Sequence, residues 1–298
     1  MKIPVSKKNL VVLGTIITIL AVSLIFSYRQ DSQKKRLTYQ QQAKNQKAEE
    51  ITIRIIEGWS NREIAEYLEK QGIVSSADFL KAVKNFDTTD FDNFLPKKAA
   101  GDLQGFLYPD TYRLFMSITD RTITKADDAA KTIIAKLLDT FVKRLPVNGG
   151  VQAKKQGLDL YQAIILASIL ENETGRNAIS IDDRKRLDEE RKIVAGIFYN
   201  RLHSNIALQS DATINYITSK KDPAPALEDL QIASPYNTYK NRGLPPSPIG
   251  NPSLSSINAV LNPAKTDYFY FLHKQPSGEP VYSKTFEEHV KNKQKYLK

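Results

Sequence analysis

Hydrophobic spacing divides this chain into a membrane-length apolar run, a polar stretch and a long series of amphipathic segments. Leu10 to Phe26 carries no charge and is interrupted only by Gly14, Thr15, Thr18 and Ser23; with Ser27 and Tyr28 it is just long enough to span a bilayer. Arg29 to Glu50 is rich in Gln, Lys and Arg, holds almost no large apolar residue, and reads as a polar stalk. Ile51-Thr-Ile-Arg-Ile-Ile56 alternates as a strand does, and Glu57-Gly58-Trp59 then turns into Ser60-Asn-Arg-Glu63, a capping box. The helix so opened puts Ile64, Ala65 and Leu68 on one face; Gly72 stops it, and a second short helix is expected over Ser76 to Lys84. Residues 124 to 144 have an amphipathic helical period, and Asn148-Gly-Gly150 reads as a break. A further helix is expected over Asp188 to Leu202, presenting Ile193, Val194, Ile197 and Phe198 to the core. Tyr268-Phe-Tyr-Phe-Leu272 reads as a buried strand and Ser283 to Leu297 as a closing helix. Ahead of that strand, Pro245, Pro246, Pro248 and Pro252 in the segment from Gly243 to Pro252 forbid regular helix and most sheet pairing. That segment is expected to be a long rigid loop of the kind that walls a cleft. The pattern is α+β, with no internal repeat.

One segment departs from amphipathicity. Leu160-Tyr-Gln-Ala-Ile-Ile-Leu-Ala-Ser-Ile-Leu-Glu171-Asn-Glu173-Thr-Gly175 is apolar on every side yet ends in two carboxylates. Asp159 can cap it with Gln162 completing the box, and Gly175 can close it in the left-handed conformation. It is too short to cross a bilayer, so a protein core is its expected surrounding. A carboxylate at the end of such a helix loses water, which raises its pKa toward the range useful for a general acid. Residues 171 and 173 lie about 200° apart around a helix. Glu171 continues the face of Ile164, Ala167 and Ser168, whose small members leave room for a ligand. Glu173 continues that of Leu166, Ile169 and Leu170, a bulkier face on which an acid would pair with an Arg or Lys. On this reading Glu171 is the candidate catalytic acid.

Composition narrows the chemistry. There is no cysteine, which removes thiol catalysis, disulfides and cysteine metal sites and is compatible with export. The three histidines, His203, His273 and His289, are scattered, and no Gly-rich phosphate loop or Gly-x-Ser-x-Gly elbow is present, so neither metal nor cofactor is expected. No small-x-small site follows Phe26, so residues 1–28 are read as an uncleaved anchor rather than a signal peptide. Flanking charge leaves the orientation open, with Lys2, Lys7 and Lys8 on one side and Arg29, Lys34, Lys35 and Arg36 on the other. The short leading segment makes export of the bulk the expectation: a single-pass cell-membrane protein with its C-terminal domain on the outer side. Of the net charge of +10, +3 lies in the first 28 residues, leaving +7 for the rest, which suits anionic surroundings. The basic residues are dispersed and not interleaved with aromatics, so nucleic acid is not an expected partner.

The strand-helix-helix unit over residues 51–95 resembles a LysM-type glycan-binding module. Further along stand Gly105-Phe-Leu-Tyr-Pro-Asp-Thr-Tyr112, Leu166-Ala-Ser-Ile-Leu-Glu-Asn-Glu-Thr-Gly175, Leu208-Gln-Ser-Asp-Ala-Thr213, Ser234-Pro-Tyr-Asn-Thr-Tyr239 and Gly243-Leu-Pro-Pro-Ser-Pro-Ile-Gly-Asn-Pro252. In this order, behind an anchor, they resemble the endolytic murein transglycosylase family (MltG/YceG-like). Two positions depart from that pattern: Gln104 stands where an acid is expected and Asn172 where a Lys is common. The resemblance implies 1–28 as cytoplasmic end and anchor, 29–50 as stalk, 51–95 as the LysM-like unit and 96–298 as a mixed α+β catalytic domain. It implies cleavage of the bond between N-acetylmuramic acid and N-acetylglucosamine in nascent peptidoglycan, leaving a 1,6-anhydro end, with cell-wall synthesis machinery as a further partner. One glutamate serves as acid and then base, and the resemblance assigns Glu171 to it. Gln209, Asp211, Tyr236, Asn237 and Tyr239 lie in matching polar motifs and are candidates to line the sugar cleft. Two alternatives stay open: a non-catalytic wall-binding scaffold, and a hydrolase with two carboxylates, Glu171 plus Asp211 or Asp110.

Overall fold

The computed structural model describes residues 48–91, 95–119, 122–123, 126–174, 180–220 and 225–297. The apolar run from Leu10 to Phe26 and Gly175, expected to close its helix, lie outside them. Among the described residues no helix is long and apolar enough to cross a membrane. Two compact units are present; the described residues of the smaller are 48–50, 115–119 and 122–123, and the larger holds the described residues of 51–114 and 126–297. In the smaller, β2 (Thr111–Thr119) meets β3 (Thr122–Ile123) antiparallel, with Ile118 opposite Ile123 and Thr119 opposite Thr122. The three-stranded sheet has the order β1-β2-β3.

The larger unit starts within β1 (Ala48–Arg54), so pairing begins three residues before the alternation at Ile51 would place it. The capping box forms as read: the Ser60 hydroxyl accepts from the Glu63 amide and the Glu63 carboxylate accepts from the Ser60 amide, opening α1 (Asn61–Lys70). Ile64, Ala65 and Leu68 are fully buried on one face. α2 (Ser76–Lys84) follows behind the Ser75 cap and packs on α1 and on α3 (Ala126–Arg144). Two departures from the sequence pattern arise here. A strand the sequence pattern does not show, β2, begins at Thr111 within the Gly105–Tyr112 motif, because Ile55 N donates to Asp110 O (3.0 Å) and draws it beside β1. Asn148-Gly-Gly150 starts a short helix, α4 (Gly149–Lys155), instead of a loop; Gly149 is buried against Leu261, where the packing of neighbouring helices overrides glycine's weak propensity.

At the centre lies α5 (Leu160–Thr174), with every residue from Ala163 to Glu171 buried. Its predicted box is present: Asp159 Oδ1 accepts from Gln162 N at 2.7 Å and Gln162 Oε1 from Asp159 N at 2.8 Å. It is surrounded by α4, α6 (Ile181–His203), α7 (Asp211–Thr218) and α8 (Leu254–Leu261). Burying each Leu or Ile side chain is worth about 1.5–3 kcal/mol, which fixes an all-apolar helix in the middle of the unit. α6 begins seven residues earlier than the apolar spacing shows, because its first two turns are polar and are started by a capping box of Ser180 with Asp183. Gly196 on α6 lets the chain at Ala264 pass: a Cβ there would lie 2.3 Å from the Ala264 oxygen. The C-terminal aromatic strand is half of a hairpin, β4 (Tyr270–His273) and β5 (Pro280–Ser283), with Phe271 opposite Tyr282. The closing helix α9 (Phe286–Tyr296) packs on both strands.

Candidate active site

One cavity of about 1410 Å³ in the larger unit gathers residues from almost every motif. Its walls come from the β1–α1 turn, the end of α5, the segment before α7, and the hairpin with α9.

Glu173 is on this wall and Glu171 is off it. Glu171 is 2 % exposed. Its Oε1 accepts from Arg191 Nη2 at 3.1 Å, an ion pair with α6 that is closed to solvent on both sides. Its Oε2 accepts from the backbone N of Ser253 at 2.9 Å and from the Ser253 hydroxyl. Ser253 caps α8, so Glu171 ties α5 to α6 and to the start of α8. Arg191 is shared further, with the Ser255 hydroxyl (3.1 Å) and Asp188 (3.5 Å). The sequence reading is therefore inverted: the small residues Ala167 and Ser168 make room for a packed chain, not a ligand. Ser168 Oγ accepts from Ile249 N at 3.0 Å.

Glu173 is half-buried, and its Oε1 accepts from the Ser210 hydroxyl and, at 3.4 Å, from Ala212 N. Burial pushes its carboxyl pKa up; the Ser210 hydrogen bond opposes this, the Asp211 charge adds to it, and the Ala212 amide and His273 oppose it. Such a carboxyl holds a proton more tightly than a surface glutamate and faces a cavity where it can deliver it.

Gln209, Asp211 and Tyr239 join Glu173 on the cavity wall. Gln209 has a left-handed backbone (φ 49), held by its amide donating to Thr238 O at 3.0 Å. The Tyr239 hydroxyl donates to Asp211 Oδ1, and Tyr239's own pKa is raised, first by burial and then by that bond. Tyr236 and Asn237 are not brought to this wall. Tyr236 lies against Tyr216, ring centroids 5.0 Å apart, and its hydroxyl bonds the Ser247 hydroxyl. Asn237 is fully buried: its Nδ2 donates to the Leu230 and Ile232 carbonyls (3.0 and 2.9 Å), and its Oδ1 accepts from Tyr239 N at 2.9 Å. Its amide is spent on the turn that presents Tyr239. Of the Pro-rich loop, Ile249 reaches the large cavity, whereas Gly243 to Pro246 line a second one of about 480 Å³ with Tyr161 and Tyr199.

Sequence reasoning missed Ser210, Arg191 and Ser253. Ser210 stood between two named residues; Ser253, just after Pro252, carried the signal of a helix cap. Arg191 carried none. Asp110, the other possible second carboxylate, pairs with Arg144 at 3.3 Å and is not on the cavity wall. Among the described residues no group of three or more His, Asp or Glu side chains is placed to hold a metal ion.

The sequence profile of the YceG-like family matches residues 27–295. The endolytic murein transglycosylase of Bacillus subtilis (strain 168) is 36% identical over 234 residues, 78% of this chain and 59% of that protein. The endolytic murein transglycosylase of Streptococcus pneumoniae (strain ATCC BAA-255 / R6) is 32% identical over 206 residues, 66% of this chain and 33% of that protein. The chain thus spans about three fifths and one third of the length of these two relatives. The 2.6 Å crystal structure of a YceG-like protein from Listeria monocytogenes superposes with a TM-score of 0.64 at 31% identity, covering 81% of this chain and 75% of that one.

Proposed function

The chain belongs to the YceG-like family, and on that premise we propose that it is an anchored endolytic lytic transglycosylase acting on peptidoglycan, with Glu173 and not Glu171 as its acid. The observation that carries the residue choice is the contrast in access. Glu173 is a half-buried carboxyl of raised pKa on the wall of a cavity large enough for several sugars; Glu171 is closed off and committed to Arg191 and Ser253.

In this reading the Glu173 carboxyl gives its proton to the glycosidic oxygen as the bond from C1 of N-acetylmuramic acid to that oxygen breaks. The resulting carboxylate takes the proton of the C6 hydroxyl while O6 closes on C1. The leaving sugar gains a hydroxyl, the other end becomes a 1,6-anhydro sugar, and no water is consumed. The Ser210 hydroxyl and Ala212 amide favour the carboxylate and so limit how far burial can raise the pKa, which suits a group that must do both jobs. The β-α-α-β order from β1 to β2 supports a LysM-like unit at the front of the chain; it brings Trp59 to the same cavity. The run from Leu10 to Phe26 supports the anchor and, with it, an exported catalytic part.

One observation favours a second reading. Asp211 lies close enough to Glu173 to raise its pKa, and a second carboxylate is what a hydrolase needs. Mass spectrometry of peptidoglycan digested by the full chain separates the two: 1,6-anhydro ends are expected. Reducing ends one water heavier would establish the hydrolase, and uncut strands that still bind would establish a scaffold.

A further inference from the structure

Gln104 stands between two residues with left-handed backbone, Leu103 at φ 52 and Gly105 at φ 91. That conformation costs a leucine about 1–2 kcal/mol, and Leu103 is held in it by complete burial. The side chain presented by this turn is 3 % exposed and lies on the wall of the large cavity. Its Oε1 accepts from the backbone N of Asn61 at 2.8 Å, at the first residue of α1. Only an oxygen can accept there, so the orientation of the amide is settled. Nε2 is then the other end, buried and, among the described residues, without an acceptor.

The acceptors of its neighbours are engaged elsewhere. Asn61 Oδ1 accepts from Asn251 Nδ2 (3.2 Å), the Asp102 carbonyl from Asn61 Nδ2, and the Asp102 carboxylate from Ser247 (3.4 Å). Folded proteins retain few buried donors of this kind, because each costs about 1–3 kcal/mol. Glu57, Glu63, Glu66 and Asp102 share this cavity with Arg62, Arg201, Lys220 and Lys293, so charge of both signs lines it, and burial raises the pKa of Asp102. A neutral carbonyl satisfies the donor without adding a charge to this wall. Trp59 on the cavity wall adds an apolar ring face suited to a sugar.

We infer that Gln104 is a specificity-determining residue whose Nε2 donates to the acetamido carbonyl of an N-acetylated sugar in the bound strand. The inference rests on the peptidoglycan reading above. An acid at this position, which the family resemblance leads one to expect, would accept from Asn61 N equally well but would offer nothing to the acetamido oxygen. The glutamine therefore makes this chain selective for N-acetylated over de-N-acetylated glycan.

The test uses the full chain and two peptidoglycan preparations that differ only in whether their glucosamine nitrogens are acetylated. Gln104→Glu keeps the acceptor for Asn61 and removes the donor. The preference of the wild type for acetylated strands, as a ratio of kcat/KM measured below the melting transition of each protein, should shrink about five- to tenfold in the variant, through KM. A preference left intact in the variant, including an equal loss on both substrates, overturns the inference. If the variant does not fold, the side-chain amide resonances of Gln104 in the wild type decide the matter. They should move on adding an N-acetylglucosamine oligomer and not on adding a glucosamine oligomer, and any other pattern overturns it. A wild type that leaves both strands uncut while those resonances move would remove the cleavage reading and keep this one.

Discussion

Two carboxylates two residues apart on one helix have been given opposite surroundings. Glu171 points to the side where α6 and α8 close over α5, and meets a guanidinium, a backbone amide and a hydroxyl. Glu173 points to the side where α5 meets the segment before α7, and meets a hydroxyl, an amide and open volume. Burial alone does not separate them by access: the more buried one is closed off and the other borders the cavity. What distinguishes an acid that can work from one that holds the fold is whether its remaining lone pairs face solvent-accessible space or are already occupied. A buried ion pair such as Glu171 with Arg191 is costly to break by removing one partner.

The largest expected effect is on chemistry. Glu173→Gln should lower turnover of peptidoglycan by about a hundredfold or more, with the fold and strand binding retained. Turnover and strand binding measured on the same preparation check this, and a variant that still cuts at the wild-type rate would remove Glu173 from the mechanism. The counterpart, Glu171→Gln, leaves the buried Arg191 with Asp188 as its remaining carboxylate and should cost up to about 3–5 kcal/mol of stability. Its activity, measured below the melting transition, should persist. Denaturant unfolding together with turnover reads both halves, and a stable but dead Glu171→Gln would reverse the comparison.

Asn237→Ala tests the same distinction among the polar motif residues. Because its amide holds the Leu230 and Ile232 carbonyls, the change should cost about 1–3 kcal/mol in an unfolding experiment. A contact with sugar would instead weaken KM and leave the melting point alone.

The pH dependence sharpens the contrast with a smaller signal. The Glu173 pKa is raised in the folded state above the ordinary 4.5, so the folded protein binds this proton more tightly than the unfolded chain does. The stability this contributes is fully present below the unfolded pKa and is lost as pH rises through the folded one. Glu173→Gln should accordingly gain stability on the wild type as pH rises through that range, read from melting points across a pH series. The alkaline limb of kcat/KM should lie above that of an ordinary glutamate. Asp211→Asn removes a charge that raises the Glu173 pKa and should move the limb to lower pH. A limb that stays in place in this variant would show that the two carboxylates are not coupled.

Much of the architecture was legible before any coordinates. The caps at Ser60 with Glu63 and at Asp159 with Gln162 are local hydrogen bonds between residues three apart, and they form as the spacing requires. The all-apolar composition of α5 dictated its burial, since no face of it tolerates water. The prolines between 245 and 252 likewise act through backbone properties carried by the residues themselves, whereas the run from Tyr268, expected as a buried strand, pairs only from Tyr270 and buries only Leu272, because one face of the hairpin borders the cavity. The helix at Gly149 was not legible, because weak local propensity was overruled by Leu261, distant in the chain; β5 was not legible because it is four residues long and begins with a proline.

The residues alone therefore determined that a buried helix would end in two acids, and that polar motifs near Asp211 and Tyr239 would accompany it. Which acid faces the cavity was decided only by the tertiary structure. Helical geometry puts Glu171 and Glu173 on opposite sides, but it does not say which side another helix will cover. That depended on where α6 brings Arg191 and where α8 begins at Ser253, contacts spanning 20 and 82 residues of sequence. The same holds for Gln104, whose amide has a settled direction only because the first residue of α1, 43 positions earlier, arrives beside it.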